Sequence, residues 1–317
     1  MCIRDSNILG GGGNRGNQLI QMGGSCNSLA GTLTPLFVLS FIGAVTPSTS
    51  MTEVTPLLFI AMGVFVLSFV VISFVSIPEP NLAKTGQRKS KSKYSAWSFR
   101  HTVLGVVAIF FYVGIEVGIP GELIFYLSDS SVSGITENAA AVAGAIAAVY
   151  WLLMLVGRLC SSAISGKVSS KTQLIVVSAV AIVLIVIAIL LPSSTRVTMP
   201  AYSVADGFFM TTVPAGALLL VLCGLCTSVM WGGIFNLAVE GLGKYTAQAS
   251  GIFMMMVVGG GVMPFIQERI GHAAGYMSSY WLVVAMLAFL LYYALVGSRN
   301  VNTDIPVSDD EEMSDPV

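Results

Sequence analysis

The chain has 317 residues, 55% of them hydrophobic and only 10% charged, with a net charge of −1 and a mean hydropathy of +0.84. A soluble domain carries about 25% charged residues, so this much apolar surface needs lipid as its solvent. The near-zero net charge argues against nucleic acid or another polyanion as a partner. Four of the five cysteines lie inside apolar segments, where a thiol behaves as a small hydrophobe.

Eight stretches are long enough to cross a hydrocarbon core of ~30 Å at 1.5 Å per residue. They fall at 18–45, 54–77, 102–127, 138–165, 173–192, 212–239, 246–269 and 278–297. The first starts polar, with Gln18, Gln21 and Asn27. Residues 1–17 have no apolar core of a signal peptide, and the opening MCIRDS fits neither a start signal nor the loop after it. It reads as a sequencing or assembly scar. Between the second and third spans, a linker over 78–100 holds Lys84, Arg88, Lys89, Lys91, Lys93 and Arg100 against the single acid Glu79. Its Lys, Ser and Gly content predicts a mobile, solvated segment. Later loops carry Lys167 and Lys171, then Lys244, then Arg299, while the opposite side has Arg196 and Arg269. The positive-inside rule therefore puts the linker and the C-terminus in the cytoplasm. The acidic residues 298–317 have too little apolar content to build a packed face and are expected to be disordered.

The third span, HTVLGVVAIFFYVGIEVGIPGELIFYL, holds Glu116 at membrane depth. A charge there costs roughly 2.5–3.5 kcal/mol, so such a residue faces protein or a water-filled path. Gly114, Gly118, Pro120 and Gly121 surround it, and a Gly/Pro-interrupted helix beside a carboxylate points to the central site of a transporter. Tyr112 lies one turn earlier on the same face; its ring suits the apolar face of a sugar, and packing is the competing role. Glu122, six residues beyond Glu116, lies about 120° round the helix and ~9 Å along it. It is a candidate gate or proton-linked residue. Trp231 with Asn236 offers an aromatic platform and an amide, again with packing as the alternative for the ring. Arg158, near the end of the fourth span, reads as an inner-end anchor or gate salt bridge and not as a ligand.

Other chemistry finds little support. Cys223 and Cys226 form a Cys-x-x-Cys with no histidine or carboxylate nearby, inside an apolar helix, which favours packing. Gly241-Leu242-Gly243-Lys244-Tyr245 lacks the upstream Gly and the following Ser or Thr of a phosphate loop. His101 and His272 sit near opposite membrane ends, so no zinc site follows and no cofactor is called for. The alternatives to a transporter are an intramembrane hydrolase, for which no Gly-x-Ser-x-Gly is present, and an ion channel, for which neither charged rings nor a filter sequence is visible.

Four stretches resemble the fucose permease and glucose/galactose branch of the major facilitator superfamily. QMGGSCNSLAGTLTP (21–35) is similar to that family's fifth span, whose signature is close to LNLAQ-x-FNSLG. Residues 99–127 resemble its seventh span, and YWLLMLVGRLCSSAI (150–164) its eighth, which ends in Gly-Arg. WGGIFNLAVEGLGKYTAQASGIFMMMVVGGGVMPFIQ (231–267) resembles the tenth and eleventh spans with their loop. The likeness runs in order over residues 9–297. It implies an all-α membrane bundle with eight of twelve spans present: 18–77 as the last two spans of an N-terminal bundle and 101–297 as a complete six-span C-terminal bundle. It also implies a central hexose site that opens alternately to each side of the plasma (inner) membrane, with protons as the coupling ion taken up by acids on the absent first and fourth spans. In the fifth span the aromatic is lost and Gly24 stands where the family often has Gln. Asn27 aligns with a family asparagine that contacts substrate; an interhelical hydrogen bond is its other role.

Overall fold

A computed structural model describes residues 13–42, 50–75, 94–136, 139–165, 167–203 and 207–307. Nine helices account for most of them: α1 (Gly13–Ile42), α2 (Met51–Phe74), α3 (Arg100–Ser128), α4 (Ala139–Ile164), α5 (Ser170–Leu190), α6 (Ala215–Val239), α7 (Thr246–Met255), α8 (Gly259–Ala274) and α9 (Tyr276–Tyr292). A 3-10 turn, Met256–Val258, joins α7 to α8, and a π turn, Tyr293–Gly297, extends α9. Seven helical segments among the described residues are apolar and long enough to cross a membrane: α2 to α6, the α7–α8 unit from Gly243, and α9 with its extension. The first predicted span forms the 30-residue helix α1.

Helices α3 and α6 form the centre of the bundle. About 61% and 72% of their most apolar windows are buried, against 28% for α5 and none for α2. Lipid tails are as apolar as leucine, so helices associate through close packing and polar contacts, and small residues decide where backbones can meet. Gly114 lies against Met263, Gly118 against Gln267 and Gly271 against Glu122, a constant offset of 149 residues that makes α3 and α8 parallel neighbours in register. Gly259 sits directly on the carbonyl of Phe110. Gly157 and Gly224 give the same intimacy between α4 and α6, against Ser228 and the Tyr150 carbonyl.

Three expectations change. The third span is not interrupted at its Gly/Pro cluster: α3 runs unbroken through Pro120. Protein neighbours support the weakened turn, and the Tyr280 hydroxyl donates to the Ile119 carbonyl at 2.9 Å. The irregular span is the one holding Gly259, Gly260 and Gly261, where α-helix gives way to 3-10 between α7 and α8. Second, the fold is not wholly helical. Between the expected spans at 173–192 and 212–239, Arg196–Ser203 and Gly207–Pro214 pair as an antiparallel hairpin, β1–β2. Its alternation is the missed signal: Met199, Ala201 and Val213 turn inward while Phe208 and Met210 face out. Arg196 donates to the Ser133 carbonyl and pins the hairpin to the loop after α3. There Asp129 caps the turn Ser130–Ser133, and the hydroxyl (2.5 Å) and backbone N–H (3.0 Å) of Ser131 hold its carboxyl below the usual carboxylate range.

Third, the segments flanking the bundle are partly seated. Residues 76–93 of the expected mobile linker lie outside the described residues, but 94–100 dock: Ala96 N–H donates to Gln248 Oε1 (2.9 Å) and Arg100 N–H to Asn302 Oδ1 (3.0 Å). The tail likewise begins in contact, Val307 O accepting from Lys244 N–H at 3.1 Å, while 308–317 lie outside the described residues. This linker end of the bundle also holds His101, whose Nε2 meets the Glu240 carbonyl at 3.0 Å.

The α3–α8 contact sets a steric test. A methyl group at Gly259 meets a backbone carbonyl that cannot swing away, whereas one at Gly261 meets nothing within 4 Å. Gly259→Ala is expected to lower stability by about 1–3 kcal/mol, and Gly261→Ala by less than about 0.5 kcal/mol. Thermal unfolding of the detergent-solubilised protein checks both.

Candidate functional site

Glu116 is buried, and its Oε1 accepts from Arg158 Nη2 at 3.0 Å, with side-chain exposures of 10% and 6%. The 26-residue helix α4 carries Arg158 one turn and a half before its end, so the guanidinium reaches inward across α3 instead of capping the membrane surface. Its other nitrogen, Nη1, donates to the backbone carbonyl of Gly24 on α1. Gly24 is where a side chain would be crowded: an added Cβ would stand 3.2 Å from Nη1. One cation thus ties a membrane-depth acid to the backbone of a third helix.

Two further hydrogen bonds hold α1 to the same face. Buried Gln21 donates from Nε2 to the Val229 carbonyl of α6 at 2.9 Å, and the Ser162 hydroxyl donates to the Gln18 carbonyl at 3.3 Å. With Gly31 against Trp151, these pairs run antiparallel, so α1 lies along α4 from near its start to beyond its middle.

Above the ion pair stand two aromatic rings. Tyr112 is fully buried and meets half-buried Trp231 edge to face, with centroids 5.9 Å apart. The Tyr112 hydroxyl lies beside both the Glu116 carboxylate and the Arg158 guanidinium and has no well-directed hydrogen-bond partner among the described residues. Tyr150, one helix over, shares a hydrogen bond with Thr227 at 2.9 Å. The structure therefore brings together Tyr112, Glu116, Arg158 and Trp231.

The other predicted residues lie elsewhere. Asn236 is not beside Trp231's ring: it sits near the linker end of α6, where Nδ2 donates to Ser170 Oγ at 3.0 Å and ties the start of α5. Five residues along a helix turn about 500°, which sends the two side chains to different faces. Asn27 is exposed on α1, three residues past Gly24. Glu122 is buried at 4% exposure between α3, α8 and α9, away from Arg158. Cys223 and Cys226 are buried and unlinked in α6. A cavity of about 340 Å³ opens between α4, α5 and α6, beside Cys160, Ile164, Val176 and Leu225; its walls are almost wholly apolar and none of the predicted residues lines it.

Sequence reasoning missed Gln21 and Gln267. Gln21 was read only as weakening a span, yet a buried polar residue at membrane depth is itself a pointer.

Comparison with known proteins follows this geometry. No protein-family model matches the chain. Glucose/galactose transporters of Brucella abortus, from strain 9-941 (biovar 1) and strain 2308, are 31% identical over 283 residues, 86% of this chain and 62% of their own length. Among solved structures, the major facilitator superfamily transporter FucP in its outward conformation superposes with a TM-score of 0.67 at 18% identity, over 90% of this chain and 69% of that one. The E. coli fucose:proton symporter FucP gives the same score at 17% identity. The chain is similar in sequence to these transporters and shares the fold of the FucP structures. It spans 62% of the length of the Brucella relatives. Within this fold the ion pair joins α3 to α4 and, through Gly24, to α1.

Removing one member of a buried ion pair strands the other, a loss of about 3–5 kcal/mol, while replacing both by neutral groups costs far less. Arg158→Gln alone is expected to lower the unfolding temperature more than Glu116→Gln with Arg158→Gln together. A double variant as unstable as the single one would deny the coupling.

Proposed function

We propose that the complete protein carries a hexose or deoxyhexose across the plasma (inner) membrane together with protons, by alternating access, with its C-terminus in the cytoplasm. The observation behind this reading is the Glu116–Arg158 pair, buried at membrane depth beside two aromatic rings. No packing requirement asks for a charge pair there, and intramembrane charges mark substrate and ion paths. The relatives' names supply the substrate class: glucose/galactose for the Brucella proteins and fucose with a proton for the E. coli one.

In this mechanism Trp231 presents its ring to the apolar face of the sugar and Tyr112 gives its unpaired hydroxyl to one sugar oxygen. Asn27, exposed on α1, adds an amide from the opposite wall, able to donate and accept at neighbouring hydroxyls. Glu116 accepts from sugar hydroxyls as Arg158 gives up part of its hold, and such charge-assisted bonds are the stronger kind. The hydrogen bonds from Arg158 and Ser162 close the linker half of the α1–α4 seam, and that from Gln21 ties α1 to α6. With the basic linker on the cytoplasmic side, that closure belongs to an outward-facing state, and inward opening has to part these bonds. Glu122 and Arg158 then act as proton-linked and gating residues, and the coupling acids implied for the first and fourth spans of the family complete the cycle.

Uptake of labelled glucose, galactose and fucose by proteoliposomes holding the complete protein tests the reading. Saturable uptake driven by a pH gradient is expected. Glu116→Gln should weaken sugar affinity about 5- to 150-fold, corresponding to roughly 1–3 kcal/mol, with pH dependence retained. Unchanged affinity with pH dependence abolished would make Glu116 a proton carrier instead. Current without sugar would replace the transporter by a channel.

A further inference from the structure

The second acid of α3 meets no cation among the described residues. Glu122 projects over Gly271 of α8, where its Oε1 fills the space a Cβ would take. One turn away, Gln267 of α8 projects back over Gly118 of α3, and its Oε1 fills that space in the same way. The two helices thus exchange polar side chains through reciprocal glycine sockets. Both oxygens are buried without a hydrogen-bond partner among the described residues. Gln267 is fully buried and Glu122 4% exposed.

The donors around them have other acceptors. The Ser279 hydroxyl lies beside the Glu122 carboxyl, and its short hydrogen bond goes to the Tyr276 carbonyl at 2.7 Å. Gln267 Nε2 donates to Ser279 Oγ at 3.5 Å. Tyr280 donates to the Ile119 carbonyl at 2.9 Å, and Tyr276 to Asp129 Oδ2 at 3.4 Å. The charged groups on α8 are Glu268, which acts on Glu122 as a second acid, His272, which stands 3.6 Å from Glu268, and Arg269, which is exposed and lies over the Phe265 ring at 5.1 Å. Tyr126, on α3 itself, packs on Tyr276 at 6.3 Å. Turning the Gln267 amide over does not help, because its oxygen would then face a serine oxygen whose short hydrogen bond goes to the Tyr276 carbonyl.

As a carboxylate, Glu122 would be a buried charge whose Oε1 meets no donor among the described residues. As an acid it supplies the one missing donor, and an unmet buried acceptor is what the surroundings offer it. We propose that Glu122 binds a proton in this conformation, and that the seam it forms with Gln267 and Ser279 is a proton site separate from the Glu116–Arg158 pair. The inference is independent of which sugar the protein carries. It deepens the coupling reading by placing a proton in the C-terminal bundle. Because the glycine sockets are what shield the carboxyl, release of the proton requires α8 to move away from α3.

Infrared spectroscopy of the complete protein reads the carboxyl directly. At neutral pH the wild type is expected to show a protonated-carboxyl C=O band that is lost in Glu122→Gln and kept in Glu116→Gln. Gln267→Met, which removes the amide acceptor at similar size, should shift the same band without abolishing it, and this variant keeps the test alive should Glu122→Gln fold poorly. A Glu122→Gln spectrum identical to wild type would overturn the proposal. So would a band that weakens at fixed pH as sodium is raised, since the seam would then hold a metal cation. Failure of sugar uptake in proteoliposomes leaves this band where it is, so the two readings fail separately.

Discussion

The bundle depends on a salt bridge that lipid would not tolerate in pieces. Moving either ion out of water costs several kcal/mol even after relaxation, and a lone Glu116 or Arg158 at this depth would recover none of it. The two must therefore meet, and their meeting fixes how deep α4 sits against α3. Arg158 still has a second nitrogen to satisfy, and the nearest acceptor is a backbone carbonyl made approachable by the absence of a side chain at Gly24. So α1 is bound to the bundle by the unspent hydrogen-bonding capacity of an interior cation. Its own apolar surface contributes less: Met22, Leu29 and Leu33 are exposed while Gln21, Ser25, Ser28 and Thr32 are buried. A helix that turns polar residues inward and apolar ones outward is ordered for lipid, not for water.

The α3–α8 seam works by the opposite means. Here glycines remove bulk so that backbones touch, and dispersion replaces charge. The two seams lie on different faces of one helix. The first is polar, breakable and shared with α1. The second is tight, parallel and internal to the six-helix unit. Motion of α1 and α4 against α3 costs hydrogen bonds that water or a sugar can replace. Motion of α8 against α3 has no such substitute for its lost packing.

The sequence made Glu116 legible because one charge among apolar neighbours needs no structure to be noticed. The helices were legible for the same reason, since hydropathy is a sum over a span and survives ignorance of packing. Arg158 read as an inner-end anchor or a gate salt bridge, but its position near a span end could not name the partner, an acid 42 residues away that only the packing of α4 on α3 brings within reach. Asn236 was grouped with Trp231 by proximity in sequence, although their spacing sets them on different helix faces. The hairpin escaped because a hydropathy window averages over the two-residue alternation that marks a strand. Gln21 and Gln267 were overlooked because an amide carries no charge to single it out, while in the folded bundle each sits at a polar contact no apolar residue could make.

One helix therefore holds two acids solved in two ways. Glu116 is neutralised by a cation from another helix, so any change at Glu116 is felt at Arg158, at Gly24 and in the position of α1. Glu122 meets no cation among the described residues and its Oε1 has no donor there, which fits a charge balanced by a proton that arrives and leaves. Six residues set them about 120° apart, one facing the breakable seam and the other the tight one. A carboxylate held by arginine can respond to a hydroxylated ligand that competes for its oxygens. A carboxyl held by glycine sockets responds only when the sockets open. Placing both on the unbroken helix α3 makes a displacement of that helix relative to its neighbours the common variable through which the two acids can act on each other.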